Sequence, residues 1–146
     1  MLQLSVYLQH MERLEAFFRD HDLRLTEPRR DIFSILEGRD QPLTLQEILK
    51  ASQFAERTSV YRTLQLFTKL GIVDIVQVGF KQRYELAEPF KAHHHHLVCL
   101  KCGELIDLER TPRLERLVNK LASAHDYELT AHHIELQGIC SNCREK

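Results

Sequence analysis

The sequence predicts an α+β chain: an N-terminal winged helix-turn-helix followed by a small α/β half built around a four-cysteine zinc site. Three observations carry this. Four amphipathic helical segments are succeeded by two alternating strands around Gly79-Phe80. The pattern then changes to strand, Cys knuckle, strand, helix and strand. All four cysteines fall in two tight pairs, Cys99/Cys102 and Cys140/Cys143.

The elements follow in order. Val6, Met11, Leu14, Phe17 and Phe18 form a helical stripe through about residue 20. Thr26 is placed as an N-cap with Pro28 in the first turn of a second helix, whose Ile32, Ile35 and Leu36 face inward and which ends near Gly38. Thr44-Leu45-Gln46-Glu47 is a capping-box pattern opening a short third helix through Ala51. A fourth helix from Thr58 to Leu70 puts Val60, Leu64, Phe67 and Leu70 on one face, with Gly71 as its stop and Ser59, Arg62 and Gln65 turned away. Strands are expected over Ile72–Val78 and Lys81–Leu86. Three helices leading into a hairpin put the fourth helix in the recognition position. Ala87–Ala92 is the expected hinge, giving domains 1–86 and 93–146. In the second half, strands are expected at His96-Leu97-Val98, Glu104–Leu108 and Glu128–Leu136. A helix opening at Thr111-Pro112 carries a stripe of Leu114, Leu117, Val118 and Leu121.

Composition is that of an ordinary soluble domain, 43% hydrophobic and 28% charged, with no apolar run long enough to span a bilayer. The N-terminus lacks a basic region and a small-residue cleavage site, so a cytoplasmic protein is expected. Net charge is −1, so any nucleic-acid binding must rest on local features.

Cysteines confined to two CxxC pairs suit a metal better than disulfides in a reducing compartment. Each pair places two thiolates on a turn, within reach of one Zn²⁺ at about 2.3 Å. The 37 residues between the pairs leave room for a helix and a strand that fold back. Thioredoxin-like chemistry expects a CxxC that opens a helix after a strand, and Cys99 instead follows a strand-like run while the second pair lies at the chain's end.

His93–His96 feeds directly into the strand containing Leu97 and Val98. Strand alternation sends His93 and His95 to one face and His94 and His96 to the other, two bidentate imidazole units back to back. Imidazole suits Zn, Fe, Ni and Cu. Glu85, Asp107, Glu115 and His132 are the candidates to complete the two sites.

His93-His94-His95-His96-Leu97-Val98-Cys99-Leu100-Lys101-Cys102-Gly103-Glu104, Thr58-Ser59-Val60-Tyr61-Arg62-Thr63-Leu64, Leu25-Thr26-Glu27-Pro28-Arg29 and Gly138-Ile139-Cys140-Ser141-Asn142-Cys143 together resemble the ferric uptake regulator family, in its order and spacing over nearly the whole chain. The resemblance implies a homodimeric, metal-responsive repressor with a winged-helix DNA-binding half and a C-terminal dimerisation half. It implies Cys99, Cys102, Cys140 and Cys143 as structural zinc ligands. His93, His95, Glu115 and His132 correspond to a site within the dimerisation half. Glu85, His94 and His96 correspond to the sensing site, with Asp107 a further ligand. The family's sensing site usually takes one more histidine from just before the third helix, where this chain reads Arg39-Asp40-Gln41-Pro42-Leu43. Glu85, where peroxide-sensing relatives carry Asp, favours iron sensing, and the commitment of every cysteine to one site leaves none for zinc sensing. Fe²⁺ is the first expectation for the regulatory metal, with Zn²⁺ or Mn²⁺ as alternatives.

Towards a double-stranded DNA operator, Tyr61 is placed against thymine methyls and Arg62 against bases or phosphate. Thr58 and Ser59 at the helix N-terminus suit phosphate. The resemblance adds Arg24 in the minor groove and Arg29 near the backbone. An enzyme reading has one foothold. His133-Ile134-Glu135 before the second CxxC superficially matches a zinc deaminase signature, but the gap is short, the proline is missing, and Cys99 and Cys102 are left without a role. A zinc-ribbon interaction module accounts for the cysteines and for nothing else.

Overall fold

In the computed structural model, residues 2–54 and 56–145 are described. The chain forms two compact units, one of residues 1–77 with 81–91, the other of residues 92–146 with the hairpin tip 78–80.

The first unit contains helices α1 (Leu2–Asp20), α2 (Glu27–Glu37), α3 (Leu45–Ala51) and α4 (Arg57–Lys69). It also contains strands β1 (Leu43–Thr44), β2 (Val73–Val78) and β3 (Lys81–Leu86), in the order β1-β3-β2. Leu43 pairs with Tyr84 and Thr44 with Arg83, antiparallel. The helices begin and end where local chemistry directs. Pro28 occupies the first turn of α2 after Thr26, and Thr44 and Glu47 exchange both bonds of a capping box at α3. Gly71, at φ 69°, takes the left-handed position after α4 that other residues avoid.

Leu14 and Phe18 from α1, Ile32, Phe33 and Leu36 from α2, Ile48 from α3, and Val60, Leu64 and Phe67 from α4 close over Ile72, Val73, Tyr84 and Leu86. Phe18 meets Phe67 edge-on at 6.0 Å. Each fully buried side chain of this size contributes about 1.5–3 kcal/mol. Val6, expected in the α1 stripe, is exposed, and burial on that helix concentrates at Leu14 and Phe18. Within the segment expected as a hinge, Ala87 and Phe90 are buried in the first unit, Phe90 edge-on to Phe33 at 4.9 Å.

The second unit contains β4 (His95–Cys99), β5 (Leu105–Leu108), α5 (Pro112–Ser123), β6 (Glu135–Gly138) and α6 (Ser141–Arg144). Its sheet order is β5-β4-β6, with β5 antiparallel and β6 parallel to β4. The last strand is shorter and later than the expected Glu128–Leu136. Pairing with the five-residue β4 starts at His96 opposite Glu135, where the His96 N–H donates to the Ile134 carbonyl at 3.2 Å, and residues 128–133 precede that ladder. The stripe on α5 also divides. Leu114 and Val118 are half-buried, Leu117 and Leu121 are 54% and 57% exposed, and Glu115 is the buried residue of the helix.

Candidate metal centres and nucleic-acid interface

The cysteines converge because β6 returns alongside β4. Parallel pairing sets Cys99 opposite Gly138, which places Cys140 two residues beyond the strand end beside the first knuckle. That knuckle turns at Gly103, φ 76°, where the Cys99 carbonyl accepts from the Gly103 N–H at 2.8 Å and the Cys99 N–H donates to the Glu104 carbonyl at 2.8 Å. The second knuckle is the single turn α6, with Cys140 at its N-cap. The four sulfurs lie within 4.8 Å of one another. Cys102 and Cys140 Sγ are 3.8 Å apart. Two thiolates on one tetrahedral Zn²⁺ are separated by about 3.8 Å, so the donor set fits that ion.

The cluster is also electrostatically prepared. The Cys140 backbone N–H donates to Cys99 Sγ at 3.3 Å, and this bond, with others from Cys102 and Lys101, pulls the Cys99 thiol down to about 6 against the effect of burial. Cys143 is pushed up to about 12, chiefly by its hydrogen bond with Cys140 and then by burial. Burial raises Cys140 as well. Cys99 is therefore biased towards the thiolate, while Cys140 and Cys143 hold their protons more tightly and release them to a cation.

The histidine run divides as strand alternation predicts, although β4 begins only at His95. His93, His95, Glu115 and His132 present donor atoms within 4.8 Å of one another. His93 and His132 Nε2 are 3.1 Å apart, His95 Nε2 is 3.1 Å from Glu115 Oε1, and His132 Nε2 is 3.4 Å from Glu115 Oε2. Ligands on a first-row divalent ion at 2.0–2.1 Å are spaced by about 3.3 Å, and these distances fit. Burial works against Glu115's charge, but the His95 hydrogen bond and the neighbouring His132 and His93 hold its carboxyl below the ordinary 4.5. The group is anionic at neutral pH.

On the other face, His94 and His96 Nε2 are 3.1 Å apart. His94 Nδ1 donates to the Ala92 carbonyl at 2.8 Å, which leaves Nε2 with its lone pair for a cation. Asp107 faces this pair because β5 sets it directly opposite His96, with Oδ1 3.6 Å from His96 Nε2 and Oδ2 4.0 Å from His94 Nε2. Glu85 belongs to β3 of the first unit, where it is buried and accepts from Lys91 Nζ at 2.6 Å. The lysine carries no motif and is invisible to spacing arguments. His133 is exposed and lies outside the donor clusters among the described residues.

The winged-helix face places Thr58, Tyr61 and Arg62 in solvent on α4, Tyr61 at 48% exposure, with Ser59 half-buried. Gln65, one turn on, donates from Nε2 to the Tyr61 hydroxyl at 3.0 Å and joins the same surface. Its i, i+4 spacing from Tyr61 is the signal that finds it. Arg24 is exposed. Arg29 is half-buried, its guanidinium 5.6 Å over the Phe18 ring and donating to the Arg24 carbonyl. That arrangement anchors the backbone that presents Arg24.

The model of the Ferric uptake regulator family matches residues 20–137. The chain is 32% identical to a ferric uptake regulation protein of Campylobacter upsaliensis over 93% of its own length and 90% of the relative's. Among solved structures, it is similar to the Helicobacter pylori ferric uptake regulator, which has three functional metal-binding sites. The TM-score is 0.78 at 26% identity, covering 96% of this chain and 95% of that one. The Vibrio cholerae ferric uptake regulator matches with a TM-score of 0.66 at 30% identity, over 84% and 96% of the two chains. With its winged helix, its paired cysteine knuckles and a family match spanning both units, the chain belongs to the ferric uptake regulator family.

Proposed function

We propose that this regulator is a homodimeric, Fe(II)-dependent transcriptional repressor. The observation that carries the reading is the division of four consecutive histidines into two separate donor clusters, in a unit that also holds the four-cysteine cluster. Cys99, Cys102, Cys140 and Cys143 hold structural Zn²⁺. His93, His95, Glu115 and His132 hold a second ion in the same unit. The regulatory ion takes His94, His96 and Asp107, with Glu85 supplied by the DNA-binding unit. Nitrogen and oxygen donors without thiolate suit Fe²⁺ and Mn²⁺, whereas thiolate favours zinc and copper(I).

Residues 1–86 serve as the DNA-binding domain, 87–92 as the hinge and 93–146 as the dimerisation domain. Tyr61 and Arg62 read the major groove, Thr58, Ser59 and Arg29 engage the backbone, and Arg24 enters the minor groove. A metal held by both domains selects one spacing of the two recognition helices in the dimer, to the extent that it binds that arrangement more tightly. The role is regulatory, as family membership supports, and the four cysteines fall in one cluster that does not include His133 or Glu135. No helix among the described residues is long and apolar enough to cross a membrane, and a DNA-bound role places the protein in the cytoplasm.

The test combines metal analysis with operator binding under anaerobic conditions. About one tightly held zinc per chain is expected, with a gel shift that appears on adding Fe²⁺ or Mn²⁺ and disappears on chelation. Operator binding that is unchanged in the His94→Ala and His96→Ala variants refutes the regulatory assignment. A shift elicited by Zn²⁺ alone moves the protein to zinc homeostasis within the same family.

A further inference from the structure

Glu85 sits on β3 with only 6% of its surface exposed. A carboxylate so placed needs a compensating charge. The charge comes from Lys91, whose Nζ donates to Glu85 Oε2 at 2.6 Å and to the Asp40 carbonyl oxygen at 3.1 Å. Both partners and the lysine lie in the first unit. Asp40 belongs to the stretch Arg39–Leu43, where the family resemblance leads one to expect a histidine ligand and this chain has none. An ammonium group thus stands between the carboxylate and the loop from which that additional ligand would come. The Lys91 side chain is 24% exposed, so its flexible stem has a path to solvent.

We propose that Lys91 is an internal cation that competes with the regulatory metal for Glu85 and so sets a higher metal concentration for the response. The inference rests on the reading of Glu85 as a regulatory ligand. An ammonium and a divalent ion draw on the same carboxylate lone pairs and repel each other at short range. Metal binding at Glu85 therefore exchanges one contact for another, and Lys91 withdraws towards solvent. A charged hydrogen bond that is given up in this exchange weakens the metal's apparent affinity by about tenfold. The opposing possibility is that Lys91 holds Glu85 in position for the metal, in which case its removal weakens binding.

The two possibilities move the affinity in opposite directions. The full-length, zinc-loaded protein is titrated with Mn²⁺, with free Mn²⁺ followed by electron paramagnetic resonance. Glu85→Gln first identifies which Mn²⁺ binding step involves Glu85. In that step, Lys91→Met is expected to bind Mn²⁺ about tenfold more tightly at unchanged stoichiometry, while Lys91→Arg, which retains the charge, does not tighten. Lys91→Gln removes the charge while keeping a donor for the Asp40 carbonyl, and replaces the Met variant if circular dichroism shows the latter misfolded. Unchanged or weaker binding after loss of the charge overturns the proposal. If Glu85→Gln alters no step, the reading of Glu85 as a ligand fails instead, so the two failures are distinguishable.

Discussion

Cys99 illustrates how one side chain acquires its chemistry from its neighbours. The same CxxC spacing gives two pairs, yet Cys99 is drawn down to about 6 while Cys143 is pushed up to about 12. The Cys140 backbone N–H that points at the Cys99 sulfur is the chief cause of the first. This makes Cys99 a ready ligand for a cation. Cys99→Ser is expected to lose the bound zinc, measured by inductively coupled plasma mass spectrometry. The order of residues 92–146 should go with it, since binding of a structural zinc is largely folding free energy, about 10–16 kcal/mol in small zinc domains. Full zinc content in that variant excludes the four-cysteine site. His94 shows the same dependence on a neighbour: its bond to the Ala92 carbonyl determines which ring nitrogen faces a metal.

Among the elements, α3 is the shortest helix of the first unit, and it relies on its cap. Thr44 Oγ1 accepts from the Glu47 N–H at 3.3 Å, while Glu47 Oε2 accepts from the Thr44 N–H at 2.7 Å. Thr44→Ala is expected to cost about 1 kcal/mol in chemical denaturation. The Glu47 carboxyl is held below its ordinary 4.5, first by the Thr44 N–H and then by the Thr44 hydroxyl. A depressed carboxylate stabilises the fold fully above its unfolded value and loses that contribution as pH falls through the lower folded one. The penalty of Thr44→Ala should therefore be constant near neutral pH and shrink in acid below about pH 4.5. A penalty that grows on acidification contradicts this account of the cap. In the second unit, β6 matters less for its length than for its register, because pairing Cys99 with Gly138 is what joins the two knuckles.

At the scale of the molecule, the second unit leaves apolar surface uncovered. Leu117 and Leu121 on α5, Ile106 on β5 and Leu136 on β6 are each about half exposed. Such a patch is expected to bury against a second copy of the chain. Leu117→Glu together with Leu121→Glu is expected to convert the dimer to monomers in analytical ultracentrifugation, with zinc retained and operator affinity reduced at least about tenfold. An intact dimer in that variant places the interface elsewhere. The proposed metal dependence belongs to this scale too, because a cation shifts DNA affinity only to the extent that it binds one arrangement of the molecule more tightly than another.

What could be read from the sequence was whatever depends on near neighbours. The helix start at Thr44, the stop at Gly71, the hairpin around Gly79-Phe80, the knuckles and the division of His93–His96 between two faces all follow from capping, turn chemistry and periodicity. Thr26 holds the N-cap position of α2 without a side-chain cap bond, and Pro28 marks that helix start. The resemblance to the family supplied Glu115 and His132 as partners for His93 and His95, and the structure brings all four together. Three features needed the tertiary structure. The last strand begins only at Glu135 because its parallel pairing with β4 starts at His96. The α5 stripe is divided between the buried interior and an exposed face because Glu115 takes the inward position. The Lys91–Glu85 pair depends on the fold of the segment after β3, and the Asp40 contact joins residues 51 positions apart. Local rules are short-ranged, whereas the pairing of a buried charge is decided by whichever group the folded chain delivers to it.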